Sequence, residues 1–323
     1  MVLFFNALRT AQRNRARRAP SASDPRSVDG LLFPAFTPKF SVSFDSGTVF
    51  TIGSCFARNI EEVLAPSGVI LPTLGFAVPP AEYPYRSNGL LNEFNPGTMS
   101  QRILFALRGM DYPEETIVQA GDQWIDLLLP PDARGVTRER ALARRTEIAA
   151  VYRSLPSAGL VIITLGLIEA WYDNETKLYL NRMPPAGAAA KDRRRFEFRR
   201  LNLGDCARLL EEALDALTAA GSKIMLTVSP VPLQTTFVAQ DCVVANEYSK
   251  AVLRVAAERL SAKPTIDYFP SYEIVRSGGL TSYLPDQVHV RPDIVNRVTS
   301  YMLKAYANAA AEAKEEPAAV VAE

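Results

Sequence analysis

The sequence predicts a three-layer α/β/α sandwich built around a mainly parallel β-sheet. Two observations predict this class: short apolar runs alternate with amphipathic stretches along the 323 residues, and the runs are apolar over almost their whole length. A strand that is apolar throughout is covered on both faces, which is typical of parallel sheets flanked by helices. Right-handed crossovers then place the helices on the two sides of one sheet.

Each predicted strand is a short apolar run that ends near a turn residue or a helix start. The first, TVFTIG, ends in glycine just before an amphipathic stretch, and LVIITL and KIMLTV are apolar over almost their whole length. The strands are predicted at residues 48–53, 69–73, 160–165, 223–228 and 265–268.

Each predicted helix shows apolar residues at helical spacing. The stretch at 203–220 is the clearest, because Leu209, Leu210, Ala213, Leu214 and Leu217 fall on one side and Gly221 can end the helix. The helices are predicted at residues 56–64, 98–107, 137–155, 203–220, 243–260 and 293–306.

Residues 173–201 interrupt the alternation of strands and helices. Two apparent strands, at 176–180 and 195–201, surround a bend rich in Pro, Gly and Ala, so we expect a β-hairpin insertion. Six basic and two acidic residues lie between 191 and 200. This cluster is either a solvated face or an anion-binding rim beside the site, formed by Arg193, Arg194 and Arg195.

We expect one domain at residues 41–308, between a basic arm at 1–40 and a flexible tail at 309–323. Residues 1–30 contain six arginines and two acidic residues, and their apolar run precedes the arginines, which is the reverse of a secretory signal. The arm is either partly disordered or in peripheral contact with an acidic membrane surface.

Composition excludes several classes of function. The 36 Lys and Arg residues against 35 Asp and Glu give a net charge of +1, unlike a dedicated nucleic-acid binder. No run approaches the roughly 18 apolar residues that cross a bilayer. One histidine and three cysteines exclude a multi-histidine metal site and a disulfide framework. We therefore expect a cytoplasmic protein without metal or cofactor.

Cys55 is the first candidate for chemistry. It follows Ser54, after the strand that ends in Gly53, and it stands at the start of the next helix, where free backbone N–H groups and the helix dipole favour a thiolate. The alternative is a small buried cysteine that packs under the sheet. Cys206 and Cys242 lie within or beside predicted helices, and we expect both in the core.

A nucleophilic thiol needs a base, and His289 is the one histidine of the sequence. It lies in YLPDQVHVR, just before the final helix, and Asp286 stands three residues earlier, close enough to orient the imidazole. Ser229 follows the fourth strand, where ligands of such folds also bind, and is either a site residue or a structural one.

The segment TIGSCFARNI resembles the signature of the GSCFA family. Further similarity lies in Thr164-Leu165-Gly166 with Glu169 and Trp171, in LTVSPVPL at 226–233 and in ANEYSK at 245–250. The resemblance extends over residues 44–306 and implies the flavodoxin-like sheet of the SGNH/GDSL hydrolases. It also implies that Cys55 takes the nucleophile position, and that Asp286 and His289 match the closing Asp-x-x-His of those enzymes.

The resemblance departs from those hydrolases at the oxyanion site. Residues 166–169 stand where the hydrolases have Gly-x-Asn-Asp, and Ile168 replaces the asparagine. We expect Asn92 or Asn95, in LNEFNPG, to supply the missing donor, and Gly53, Ser54 and Gly166 to line the site. Glu169 and Trp171 either shape the pocket or are structural.

The resulting hypothesis is acyl transfer through a thioester on Cys55, with an acyl ester or thioester as substrate. The enzyme is then an esterase or an O-acyltransferase, and analogy to SGNH enzymes suggests a carbohydrate or glycolipid ester. The competing hypothesis is a non-catalytic module that binds a glycan or a protein. A redox sensor is a third hypothesis.

Overall fold

The protein is described by a computed structural model over residues 2–21 and 23–315, with side chains as far as residue 307. The strands in chain order are β1 (Ser27–Val28), β2 (Leu31–Leu32), β3 (Val49–Gly53), β4 (Ile117–Ala120), β5 (Gln123–Asp126), β6 (Leu160–Leu165), β7 (Glu169–Asp173), β8 (Leu178–Leu180), β9 (Phe196–Arg200), β10 (Lys223–Val228) and β11 (Ile266–Tyr268). The helices are α1 (Phe4–Arg13), α2 (Cys55–Leu64), α3 (Pro96–Arg108), α4 (Arg138–Tyr152), α5 (Ala186–Lys191), α6 (Leu203–Ala219), α7 (Cys242–Leu260), α8 (Ser271–Ser277) and α9 (Pro292–Glu315).

The central sheet contains four parallel strands in the order β11-β10-β6-β3. The predicted strand at 69–73 is reduced to a bridge, in which Ile70 extends the sheet beyond β3 and its carbonyl accepts the N–H of Val49 at 3.0 Å. The chain therefore moves outward from β3 to Ile70 and then returns to β6 on the other side. This reversal makes the gap between β3 and β6 the topological switch point, where ligands bind in open parallel sheets.

Both faces of the sheet are covered, which confirms the predicted three-layer α/β/α fold. On one face, side chains of α3, α4, α6 and α7 pack on Phe50, Ile52, Val161, Ile163 and other strand residues. On the opposite face, α2, α8 and α9 pack on Val49, Leu160, Ile162 and Met225. Residues that alternate along β6 thus enter two separate cores, as continuous apolar strands require.

The insertion at 173–201 has a different internal pairing from the hairpin that we expected. Its strands β8 and β9 do not pair with each other, because both pair antiparallel with β7, which precedes them. The alanines between them form α5, so the connection is too long for a tight hairpin. Antiparallel β4 and β5, joined through Gly121 at φ +63°, form a further hairpin that the sequence analysis did not predict.

The N-terminal part of the chain consists of two different segments. Helix α1 buries none of its side chains. From β1 onward the chain packs on the domain: Leu31 is buried, the ring of Phe36 contacts those of Phe269 and Tyr306, and the Tyr301 hydroxyl donates to the Pro34 carbonyl at 2.6 Å. The domain thus begins near residue 27, earlier than the expected residue 41.

The closing helix α9 continues to Glu315, past the predicted end at residue 306. Residues 316–323 of the predicted tail lie outside the described residues. Within the described part of the chain, no helix combines the length and apolarity that a bilayer crossing requires.

Candidate functional site

The carboxyl end of β3 meets β6 at Gly53. Its φ is +147°, and a Cβ at this position would lie 2.7 Å from the Thr164 backbone oxygen. Only glycine fits, so β3 can end tightly against β6 and α2 can start immediately at the switch point. Cys55 is the first residue of α2 and is partly exposed. This geometry places the thiol of a partly exposed residue at a helix N-terminus.

A buried ion pair fixes α2 on the sheet beneath the thiol. Arg58 and Glu61, one turn apart and both fully buried, form a salt bridge, and Arg58 also donates to the Thr51 carbonyl at 2.9 Å. The Glu61 carboxylate accepts hydrogen bonds from Thr73 at 2.7 Å and from Asn88 at 2.9 Å. The helix that presents Cys55 is therefore tied to β3 and to the segment that follows it.

Ser54 and Ser229 connect the helix start to the loop after β10. Their buried hydroxyl oxygens lie 3.2 Å apart, and the Ser229 N–H donates to the Leu165 carbonyl at 2.8 Å. Ser229 thus lies directly beside the candidate site, with its hydroxyl engaged by Ser54. Ser54 stands at the N-cap position without a side-chain capping bond.

Lys250 is the residue that sequence reasoning did not assign. It is fully buried, and its ammonium nitrogen donates to the Gly166 carbonyl at 2.6 Å and to the Val231 carbonyl at 2.7 Å. Burial lowers the pKa of Lys250 to about 7, against the opposing negative charges of Cys55 and Glu247. Its position on the buried stripe of α7, among apolar residues, was the available signal.

Two cations act on the Cys55 thiol. Burial raises the pKa of Cys55, whereas the charge of Arg86, the backbone N–H groups of Phe56 and Cys55, and the charge of Lys250 lower it. Arg86 donates to the Asn59 side chain at 2.8 Å and pairs with Glu62 at 3.2 Å, whereas its buried Nη1 has no hydrogen-bond partner. The thiol thus lies where a thiolate or another anion would meet positive charge.

Asn92, rather than Asn95, lies at the end of β3. Asn92 forms a parallel bridge with Gly53, its side chain contacts the Tyr83 hydroxyl, and its Oδ1 is buried without a partner. Asn95 instead caps α3 by accepting the Thr98 N–H at 3.0 Å, and donates to the Leu180 carbonyl at 3.3 Å. Both polar atoms of the Asn95 side chain are thus engaged, its amide N–H by Leu180, so of the two expected oxyanion donors only Asn92 stands at the end of β3.

His289 and Asp286 form a pair in a surface loop. The His289 Nδ1 lies 2.6 Å from the Asp286 carboxylate, and both side chains are about half exposed. The hydrogen bond from His289, with those from the backbone N–H groups of Val288 and His289, lowers the pKa of Asp286 to about 2.

The histidine loop packs against the same strand ends as Cys55. The Tyr283 hydroxyl donates to the carbonyl of Pro230 at 3.0 Å, and Pro230 directly follows Ser229. Among the residues that the structure describes, no hydrogen bond joins His289 to Cys55. The structure thus forms the predicted Asp–His pair and places its loop beside the strand ends, but does not join the imidazole to the thiol.

Glu169, Trp171 and Gly166 secure loops around the site. The Glu169 carboxylate accepts the Thr236 hydroxyl at 2.6 Å and the Phe237 N–H at 2.9 Å, and the Trp171 ring lies 5.2 Å from the Phe237 ring. A Cβ at Gly166 would lie 2.6 Å from the Phe94 carbonyl oxygen. These three residues therefore hold the loops after β6 and β10. The buried Ile168, in the first of these loops, donates its N–H to the Ser249 hydroxyl at 3.1 Å.

The expected arginine rim is only partly available. Arg195 forms ion pairs with Asp173 and Glu175, both at 2.8 Å. Asp173 is the buried last residue of β7, which pairs with β9 just after Arg195. It is therefore not free to bind a ligand. Arg193 and Arg194 are exposed, and neither forms an ion pair within the described residues.

The other two cysteines differ from each other. Cys206 is fully buried in the core, as expected. Cys242 is only partly buried, contrary to expectation, because it is the first residue of α7. Its sulfur donates to the Leu233 carbonyl at 3.4 Å. Within residues 2–21 and 23–315, no group of three or more His, Cys, Asp or Glu side chains is arranged to hold a metal ion.

Comparison with protein-family profiles identifies a family that matches this chain. The sequence profile of the GSCFA family matches residues 48–301, which contain β3, the thiol, the buried lysine and the histidine loop. No curated protein matches the chain. Because the profile extends over most of the chain and over every strand of the central sheet, the chain belongs to the GSCFA family.

Proposed function

We propose that this protein is an acyl-transfer enzyme, an esterase or an O-acyltransferase, in which Cys55 is the nucleophile. One observation carries the proposal: the partly exposed residue Cys55 opens a helix at the switch point of the sheet, where the charges of Arg86 and Lys250 both act on its thiol. Thiolates at helix N-termini beside cations are the nucleophiles of many cysteine enzymes.

In the proposed reaction, His289 accepts the Cys55 proton while Asp286 holds the imidazole. The thiolate attacks the substrate carbonyl, a C–S bond forms, and the ester C–O bond or thioester C–S bond breaks as His289 returns the proton to the leaving group. Water or a sugar hydroxyl then attacks the thioester and releases the thiol. Because His289 is not hydrogen-bonded to Cys55 in the structure, the proposal requires the exposed imidazole to reach the sulfur once substrate is bound. Catalytic hydrogen bonds often tighten only at that stage.

The developing oxyanion needs donors near the thiol. We assign this role to the free N–H groups of Cys55 and Phe56 and to the Asn92 side chain, which replaces the asparagine absent at Ile168. Arg86, whose charge acts on the thiol although its Nη2 also pairs with Glu62, is the group that we assign to an anionic substituent of the substrate.

Lys250 completes the proposed site as a buried charge. As a neutral amine it still has two N–H groups for the Gly166 and Val231 carbonyls, so it can gain or lose its third proton without breaking either bond. In the ammonium form it stabilises the thiolate.

We further propose a carbohydrate or glycolipid ester as substrate, by analogy to SGNH enzymes, and a cytoplasmic location, in keeping with three free cysteines.

One observation favours a second candidate, a non-catalytic binding module: burial raises the pKa of Cys55, which keeps more of the thiol protonated at neutral pH.

Turnover of a panel of aryl, acetyl and thioester substrates distinguishes the two functions. We expect Cys55→Ala to abolish turnover, a loss on the order of 10³-fold or more, while Cys55→Ser keeps a small residue. Cys206→Ala and Cys242→Ala are matched controls and should retain activity. Undiminished turnover by folded Cys55→Ala protein would refute the acyl-transfer proposal.

A further inference from the structure

Helix α1 has an apolar side that nothing in the structure covers. At 100° per residue, Phe4, Ala7, Leu8 and Ala11 fall on one side of the helix. Phe4 and Phe5 are 72% and 74% exposed, and no side chain of α1 is buried. The amphipathic pattern therefore has no packing partner within the described residues of this chain.

The polar side of the same helix is positively charged. Arg9 and Arg13 lie on it, Arg15, Arg17 and Arg18 follow directly, and no acidic residue occurs before Asp24. The next arginine, Arg26, is neutralised by Asp24 at 2.9 Å and does not belong to this group. Five positive charges thus adjoin one exposed apolar strip.

These two properties together fit an anionic lipid surface better than a second copy of this chain. Two copies of α1 would bring like charges together, whereas anionic headgroups are complementary to arginines and the acyl boundary accepts phenylalanine and leucine. We propose that residues 2–18 form an amphipathic anchor that lies in the headgroup layer of a membrane containing anionic lipid. The anchor is independent of the proposed chemistry of Cys55.

Cosedimentation of the full chain with vesicles tests the anchor. We expect binding to vesicles of phosphatidylcholine mixed with phosphatidylserine, weaker binding to phosphatidylcholine alone, and release by salt. Each arginine near an acidic surface contributes roughly five-fold to the partition coefficient, so Arg15→Ser/Arg17→Ser/Arg18→Ser should weaken binding by about 100-fold.

The apolar side is tested separately by Phe4→Ser/Phe5→Ser, which should also lose most binding, whereas the polar-side control Asn6→Ser should not. Cys55→Ala should bind like the unmodified chain, so a failure of the catalytic proposal would not affect this result. The anchor is refuted if the chain does not bind mixed vesicles or if the Phe4→Ser/Phe5→Ser variant binds equally well. It is also refuted if that variant instead converts a vesicle-free oligomer into a monomer, because α1 would then pair two chains.

Discussion

Replacing Lys250 by glutamine should remove a specific pH dependence of stability. Burial lowers the pKa of Lys250 from 10.5 to about 7, so the ammonium form costs on the order of 5 kcal/mol in the folded protein. Between those two values the unfolded chain binds more protons than the folded one. The contribution of Lys250 to the free energy of unfolding therefore rises with pH across this window.

The size of the effect follows from the same two values. From about pH 6.5 to about pH 8.5, the free energy of unfolding should rise by about 2 kcal/mol through Lys250 alone. The Lys250→Gln variant cannot titrate, and its amide, on a side chain one bond shorter, offers two N–H donors toward the Gly166 and Val231 carbonyls. Urea unfolding of the two proteins at both pH values isolates the difference, because all other groups are shared.

A Lys250→Met variant is the control for the hydrogen bonds. It removes the donors as well as the charge and should be less stable than Lys250→Gln by about 1–3 kcal/mol for each buried carbonyl left unpaired. If the unmodified protein and Lys250→Gln showed the same dependence on pH, the buried lysine would not be titrating near neutrality, and its assigned role beside the thiol would be wrong.

Three further changes test other parts of the site. His289→Ala should remove the low-pH arm of the alkylation profile of the nucleophilic thiol; identical profiles would exclude His289 as its partner. Gly53→Ala should lower the free energy of unfolding by about 1–3 kcal/mol, as measured in urea, because the positive φ and the contact with β6 leave no room for a Cβ; unchanged stability would refute the proposed tight end of β3. Arg195→Ser should lower the free energy of unfolding by about 3 kcal/mol, because it removes the charge that pairs with the buried Asp173, and it should not specifically raise KM for anionic substrates. A rise in that KM without a loss of stability would instead support the anion-binding rim.

The sequence was sufficient for the elements whose pattern is local. LVIITL and KIMLTV are strands over the predicted residues, and the amphipathic stretch at 203–220 is α6, because a continuous apolar run or a helical stripe reports its own burial. The three-stranded arrangement of β7, β8 and β9 was not predictable in this way, since its pairing depends on which distant segment β7 contacts.

In the site, too, the sequence predicts the residues that a local pattern places and misses those that distant contacts place. Cys55 could be placed from the glycine-ended strand before it, and Asp286 with His289 from their spacing of three residues. The helical pattern could place Lys250 on the buried side of α7 but not beside Cys55, because its partners are the Gly166 and Val231 carbonyls on two other loops. Arg195 shows the opposite error: a basic run suggests a free surface until the buried Asp173 that neutralises it is known.

Intact-mass measurement after incubation with acyl esters and acyl-thioesters tests the central claim most directly. We predict the gain of one acyl group, assigned to Cys55 by peptide mapping, retained in Cys206→Ala and Cys242→Ala and absent in Cys55→Ala. The absence of any adduct across the panel, or an adduct of equal yield that persists in Cys55→Ala, would contradict the assignment of Cys55 as the nucleophile.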